Sequence, residues 1–291
     1  MKLTEKTTQV GLWLVLGIAL IVGALSFDLS KYKNVVSDSF ASLSSQVSNS
    51  VAELTTVYNS MEVVSEATPT PTPTPYVYRP PTQDQKNYAL ALGAILSQYN
   101  NENINALKSN LDPVGLRPMM NEWWGITNRQ SAFEVLDWLK REGHRTEYNT
   151  VYDVLVLGNI TNCKDLEDAD QSLCRDSDIK EIHDIAKQVH DLAGDKTLIA
   201  WDYGRLISVA RWCYTMGWLS EEEAWTYIMP AAIKIQSTYG SFEEFGRHYI
   251  YGRAYWMRDI NANQQQENIL KFLVNEKNNS PWTTMSWETE L

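Results

Sequence analysis

Basic side chains are scarce in this sequence: 25 Lys and Arg stand against 36 Asp and Glu over 291 residues. Five of the former and six of the latter precede Thr82, which leaves 20 basic and 30 acidic residues for the stretch that follows. That balance argues against nucleic acid as a partner, since phosphate binding needs clustered Lys and Arg. It equally disfavours docking on anionic lipid, and suits a solvated, soluble surface. Histidine and cysteine are also few, four and three. His183 and His190 lie seven positions apart, about 10.5 Å along a helix, too far to share one ion by themselves. No metal and no cofactor is expected. Gly-x-Ser-x-Gly, a phosphate-binding glycine loop and the dinucleotide glycine pattern are all missing, so no nucleophile stands beside a base at recognisable spacing. Strand alternation is nearly missing too, with Val151 to Leu157 the one ambiguous stretch, and no repeat of solenoid period occurs.

Long apolar runs are limited to one, Val10 to Phe27, whose only clearly polar residue is Ser26. Its 18 residues span about 27 Å as a helix, close to the hydrocarbon thickness of a bilayer. A cleaved signal peptide is the competing reading, because Ala24-Leu25-Ser26 resembles a small-residue cleavage site. The Lys residues on the two sides nearly balance, so charge does not orient the segment. Behind it, residues 28–66 form a Ser/Thr-rich stalk with an apolar stripe over 36–61 that suits a helix and weak self-association. Residues 67–81 alternate Thr and Pro before Arg79-Pro-Pro81, a pattern expected to adopt extended polyproline II and reach about 45 Å. The chain thus divides into a tail (1–9), a transmembrane anchor (10–27), a stalk (28–66), a linker (67–81), a helical domain (82–277) and a polar, Trp-bearing C-terminal tail (278–291). Thr-Pro tracts suit cell-surface stalks. The expected localisation is therefore the cell membrane, single-pass, with the domain extracellular; a cytosol-facing domain is the alternative.

Helix signals dominate the domain. Gln83 to Tyr99 carries apolar residues at helical period, and Asp112-Pro113 breaks the chain before a short helix through Met119 to Trp124. Thr127 with Gln130 predicts a capping box for a helix ending at Gly143. Asp178 with Glu181, Ser220 with Glu223 and Ser241 with Glu244 open three more. Leu198 to Met216 reads as a buried helix closed by Gly217. The expectation is an all-α domain of about seven or eight helices.

A resemblance extends this reading. Asn121-Glu-Trp-Trp-Gly-Ile126, Glu142-Gly-His-Arg145, Ala200-Trp-Asp-Tyr-Gly-Arg205 with Arg211-Trp212, Ser220-Glu-Glu-Glu-Ala-Trp225 and Ser241-Phe-Glu-Glu-Phe-Gly246 with Gly252-Arg253 resemble the bacterial family known as domain of unknown function 1266. The resemblance covers roughly Tyr88 to Trp256. It implies a compact α-helical domain and brings no activity and no catalytic residues with it.

The candidate site is the charged set lying inside apolar helices. Asp202 and Arg205 are three apart and share a helical face. With Glu122, Trp124, His144, Arg145, Trp201, Arg211 and Arg253 they form either a pocket or a structural ion-pair network. In a pocket, Arg forks hold a carboxylate or phosphate while His144 or Glu122 moves a proton. In a network, the charges fix how helices cross. Glu221-Glu222-Glu223 and Glu243-Glu244 sit in first helical turns, where negative charge complements the dipole, and read as caps before glycosidase acids. The acidic loop Cys163 to Asp178 lacks EF-hand spacing and reads as solvated. Cys163 and Cys174, ten residues between them, suit a disulfide outside the cell, and Cys213 a buried thiol. Trp282 and Trp287 in the tail suit docking back on the domain.

These readings converge on a membrane-anchored, cell-surface helical module that binds a protein or a small surface ligand, leaning away from an enzyme. Two alternatives stand: an enzyme on a small anionic or cell-wall substrate using Glu122, His144, Asp202 and the Arg cluster, and a cytosol-facing partner-binding domain.

Overall fold

The computed structural model describes residues 79–291, apart from 175–178 and 197. The tail 1–9, the anchor 10–27, the stalk with its 36–61 stripe, most of the 67–81 linker and the Asp178 cap lie outside the described residues. Among the described residues, no helix is long and apolar enough to cross a membrane.

Eleven α-helices and no strands are present among the described residues. They are α1 (Gln83–Ala91), α2 (Ala94–Tyr99), α3 (Pro113–Trp124), α4 (Arg129–Arg141), α5 (Gly143–Val151), α6 (Ile179–Ala193), α7 (Ile199–Thr215), α8 (Glu221–Thr238), α9 (Phe242–Met257), α10 (Gln264–Leu273) and α11 (Pro281–Thr284). The domain is all-α with more helices than the expected seven or eight. The first expected helix is broken at Leu92–Gly93, where the Gly93 amide donates to Leu90 O in a tight turn. The helix expected over Met119–Trp124 begins six residues earlier. Asp112 caps the Val114 amide and Pro113 occupies the first helical position, where a missing N–H costs nothing. The cap of α4 is Asn128 with Ser131, one residue beyond the expected Thr127. The ambiguous stretch after α5 is a π-helical turn, Tyr152–Val156, continuing that helix.

The centre of the fold is α7. Its residues are buried on nearly every side, including Trp201, Asp202, Arg205, Arg211 and Trp212, as a helix with apolar residues all round requires. Helices α8, α9 and α4 pack around it. The α7–α9 contact is close because position 252 lacks a side chain: a Cβ there would fall 2.3 Å from the Trp201 Cβ. That approach sets Trp201 of α7 against Tyr249 and Trp256 of α9, with ring centroids 5.1 and 5.9 Å apart.

Residues 278–291 dock on this body. Trp282 stacks on Phe242 at 5.6 Å and donates its indole N–H to Ala91 O (2.7 Å), one of the carbonyls left open at the end of α1. Trp287 packs edge-on against the same Phe242, and Gln236 holds the carbonyls of Trp287 and Thr289. Cys163 and Cys174 are joined by a disulfide, Cα atoms 5.9 Å apart, across two 3-10 turns.

Candidate functional site

The site starts from a helix that cannot cap itself. Residue Glu142, which precedes α5, makes no side-chain cap, so the first amides of α5 need an outside acceptor. Asp202 of α7 supplies it from 58 positions away. Its Oδ1 accepts from the His144 amide (3.0 Å) and its Oδ2 from the Arg145 amide (3.0 Å). Gly143 makes the approach feasible. Its φ is +62°, and a Cβ there would lie 2.2 Å from Asp202 Oδ2. A buried carboxylate must also be charge-paired. Arg145 Nη1 reaches Oδ2 at 3.1 Å and Arg205 Nη2 reaches Oδ1 at 2.7 Å, so all four acceptor positions of Asp202 are used.

Arg205 links this carboxylate to the aromatic residues. Its Nε donates to Trp201 O, one turn back, and its Nη2 also donates to His144 Nδ1 (2.9 Å). The guanidinium lies over the Trp201 ring (4.1 Å) and near that of Trp124 (5.4 Å), positions at which an indole face attracts the cation. Because Arg only donates, His144 Nδ1 accepts and the ring proton is assigned to Nε2. Trp138 of α4 packs edge-on against the imidazole at 5.2 Å.

These groups form one wall of a cavity of about 690 Å³, closed by α2, α3, α9 and α10. Trp124, Trp138, Trp201, Trp212 and Tyr249 supply much of its apolar surface, and Arg205, Arg253, His144, Gln266 and Asn100 its polar groups. No Asp or Glu lines it. The mouth is marked by Tyr99, Trp123, Trp256 and Met257, all exposed. Several polar atoms on this wall have no partner among the described residues. The Trp201 indole N–H is buried without one. Arg253 donates through Nη1 alone, to Ala262 O and Asn263 Oδ1.

The structure gathers His144, Arg145, Asp202, Arg205, Trp124, Trp201 and Arg253 at this one place. It separates two residues that the sequence grouped with them. Glu122 is exposed and off the cavity wall, because Leu116 and Met120 set the buried face of α3 and Glu122 points away from it. Arg211 is six positions beyond Arg205, about 9 Å along α7 and turned about 120°. It belongs to a second buried network with Glu102, Ser97 and the carbonyls of Asn103 and Ala106. Sequence reasoning missed Tyr249, Gln266 and Trp138 as cavity residues. Only the Trp138 position on the apolar stripe of α4 offered a signal for any of them.

Four of the five carboxylates in the two acidic sets, Glu222 excepted, are held in caps or ion pairs. Glu223 caps α8 and binds Arg129, which holds its carboxyl down at about 2. Glu221 meets Lys86, Glu243 meets Arg247, and Glu244 meets Lys196 and the Gly240 amide. Among the described residues, no three His, Cys, Asp or Glu side chains gather as metal ligands. Burial pushes the Cys213 thiol up to about 12.

Burial, reinforced by the Arg205 charge, lowers the His144 imidazole to about 4. The folded value lies below the ordinary one of about 6.5, so the unfolded chain binds the proton first. His144 therefore contributes stability that is full above pH 6.5 and is lost as pH falls toward 4, up to roughly 3 kcal/mol. His248, lowered by burial and by Lys196, titrates in the same sense. The contribution of His144 is isolated by His144→Gln, which can still accept from Arg205 but does not titrate. In urea unfolding at pH 7 and pH 4.5, the variant should lose about 2 kcal/mol less than the wild type between the two. Equal losses would mean that His144 is not held neutral.

No curated protein and no solved structure matches the chain. A family model does match, over residues 119–287, reaching past the Trp256 limit of the motif resemblance to take in the docked Trp282 and Trp287. That match covers more than half of the 291 residues, and the chain belongs to the family described as Protein of unknown function (DUF1266).

Proposed function

We propose that the helical domain is a ligand-binding module, held at the outer face of a membrane by the 10–27 segment and the Thr-Pro linker. The observation that carries the binding half is the cavity: an aromatic chamber with unpartnered polar atoms on its wall and an exposed aromatic mouth. An unsatisfied buried donor costs about 1–3 kcal/mol, and a cavity of this size falls within the range that holds small organic molecules. The membrane half rests on the length of the apolar run and on the Thr-Pro-rich composition of the spacer that follows it.

The acid–base alternative has weaker support. Glu122 faces away from the cavity, and every acceptor position of Asp202 is taken by an amide or a guanidinium. His144 alone remains on the wall, with no carboxylate beside it that is free to orient it for catalysis.

Binding is tested by calorimetric titration of the full chain in nanodiscs with 2-naphthamide and 2-naphthoate, with empty nanodiscs as blank. Saturable one-to-one binding of at least one is expected. Heats that match the blank for both would end the ligand-binding reading. The location is tested by labelling intact cells with a membrane-impermeant maleimide. Cys163 and Cys174 should react only after mild reduction, while Cys213 stays silent. Labelling that requires lysis would put the domain in the cytosol.

A further inference from the structure

Resting on that ligand-binding reading, we infer that the cavity takes a planar, ring-bearing organic anion, with its negative group on Arg253 and its ring among the indoles around Arg205. Most of the polar atoms left open around Arg205 and Arg253 are donors. The Trp201 indole N–H can only donate, and it is buried with no partner. Arg205 uses Nε and Nη2, and its Nη1 has no partner among the described residues. Arg253 uses only Nη1, leaving Nε and Nη2 without one. His144 lines the cavity with its proton on Nε2. The Gln266 amide and the Tyr249 hydroxyl can adapt to either role, and Asn100, whose Nδ2 donates to Glu102, adds one amide oxygen that accepts.

Charge points the same way. Arg145 and Arg205 share one carboxylate, Asp202, while Arg253 bonds only to neutral oxygens. The wall therefore carries an excess of positive charge inside a domain whose overall balance is acidic, and no lining Asp or Glu offsets it. Burial raises the Tyr249 phenol, and the charges of Arg205 and Arg253 both pull against that rise, so the two guanidiniums act on one part of the cavity. A cationic ligand would be repelled and would leave every donor unpaired. A neutral polyol would satisfy donors but not the charge. A carboxylate or phosphate answers both, most favourably in the forked geometry of a guanidinium. The rest of the ligand meets indole and phenol faces, which accept a flat ring by offset or edge contact. The exposed Trp123 and Trp256 extend that apolar path to solvent.

Arg253 can be tested apart from the ion-pair centre, since it touches neither Asp202 nor His144. The probes are 2-naphthoate and 2-naphthamide, equal in ring and shape and different in charge, titrated into the full chain in nanodiscs. The acid should bind at least about tenfold tighter than the amide. In Arg253→Gln the two affinities should come within about twofold, with the unfolding midpoint close to that of the wild type. If the Gln variant does not fold, Arg253→Lys carries the test: charge is kept and the fork lost, so the acid's advantage should shrink to about threefold. If the amide binds as tightly as the acid, or if substitution at 253 leaves the tenfold preference intact, the anion assignment falls while the ligand-binding reading stands. If neither probe binds, both fall.

Discussion

Asp202→Asn is expected to destabilise the domain by roughly 3–5 kcal/mol, the range for removing one partner of a buried charge cluster. The side chain is fully buried, and its two oxygens accept from two backbone amides and two guanidiniums. An Asn keeps one oxygen. Its NH2 group would face an N–H that also donates, whichever way the amide is turned. Arg205, itself buried, would lose its countercharge, and α5 would lose half of its only N-terminal cap. Urea unfolding checks the magnitude. Amide exchange at His144 and Arg145 checks the mechanism, since both protons should exchange faster even where the rest of α7 stays protected. A loss under about 1 kcal/mol with unchanged exchange at these two amides would show that Asp202 does not hold α5 to α7. The same variant bears on the cavity, because Arg205 and His144 take their positions from this carboxylate.

Which of these features a reader can see in the sequence follows from how far apart their partners lie. Ser220 with Glu223 and Ser241 with Glu244 are caps whose two halves are three residues apart, and both are present. Asp202 and Arg205 are likewise three apart and do pair. The capping of α5 by Asp202 spans 58 positions, and nothing local to Glu142-Gly143 reveals it. Gly143 reads as a helix stop, and it is one. It is also the first residue of the next helix, because an outside carboxylate replaces the missing cap, so α5 goes unseen in the sequence. Helix α10 escapes for a related reason: Asn263 precedes it without a side-chain cap. Glu122 joins the candidate set as a charged residue near a helix end, yet the rotation of α3 is fixed by Leu116 and Met120. Gln266 and Tyr249 reach the cavity through packing of α9 and α10 that no spacing encodes.

Arg211→Met is the second substitution expected to cost roughly 3–5 kcal/mol. The Arg211 side chain is fully buried. It spends three nitrogens on the Ser97 hydroxyl (2.6 Å) and the carbonyls of Asn103 (2.5 Å) and Ala106 (3.1 Å), with Glu102 3.7 Å away. Burial lowers its guanidinium and the Glu102 charge opposes the shift, so desolvation is the larger of the two. Methionine fills much of the volume but leaves two loop carbonyls unmet and the Glu102 carboxylate without its cation. Glu102 would keep the Trp212 indole N–H (3.0 Å) and the Ser109 hydroxyl (2.7 Å), which solvate it but do not neutralise it. Removing that residual charge should therefore recover part of the loss. In a double-mutant cycle, Glu102→Gln with Arg211→Met should be less destabilised than the sum of the single changes by about 1–3 kcal/mol. Additive effects would mean that the two charges do not act as a pair, and a cost below about 1 kcal/mol for Arg211→Met alone would remove the network from the account of the fold. The outcome reaches the cavity, because Trp212 and Asn100 line it and both are bonded to Glu102. The buried pair on one side of α7 thus holds the wall to which Arg205 contributes from another side.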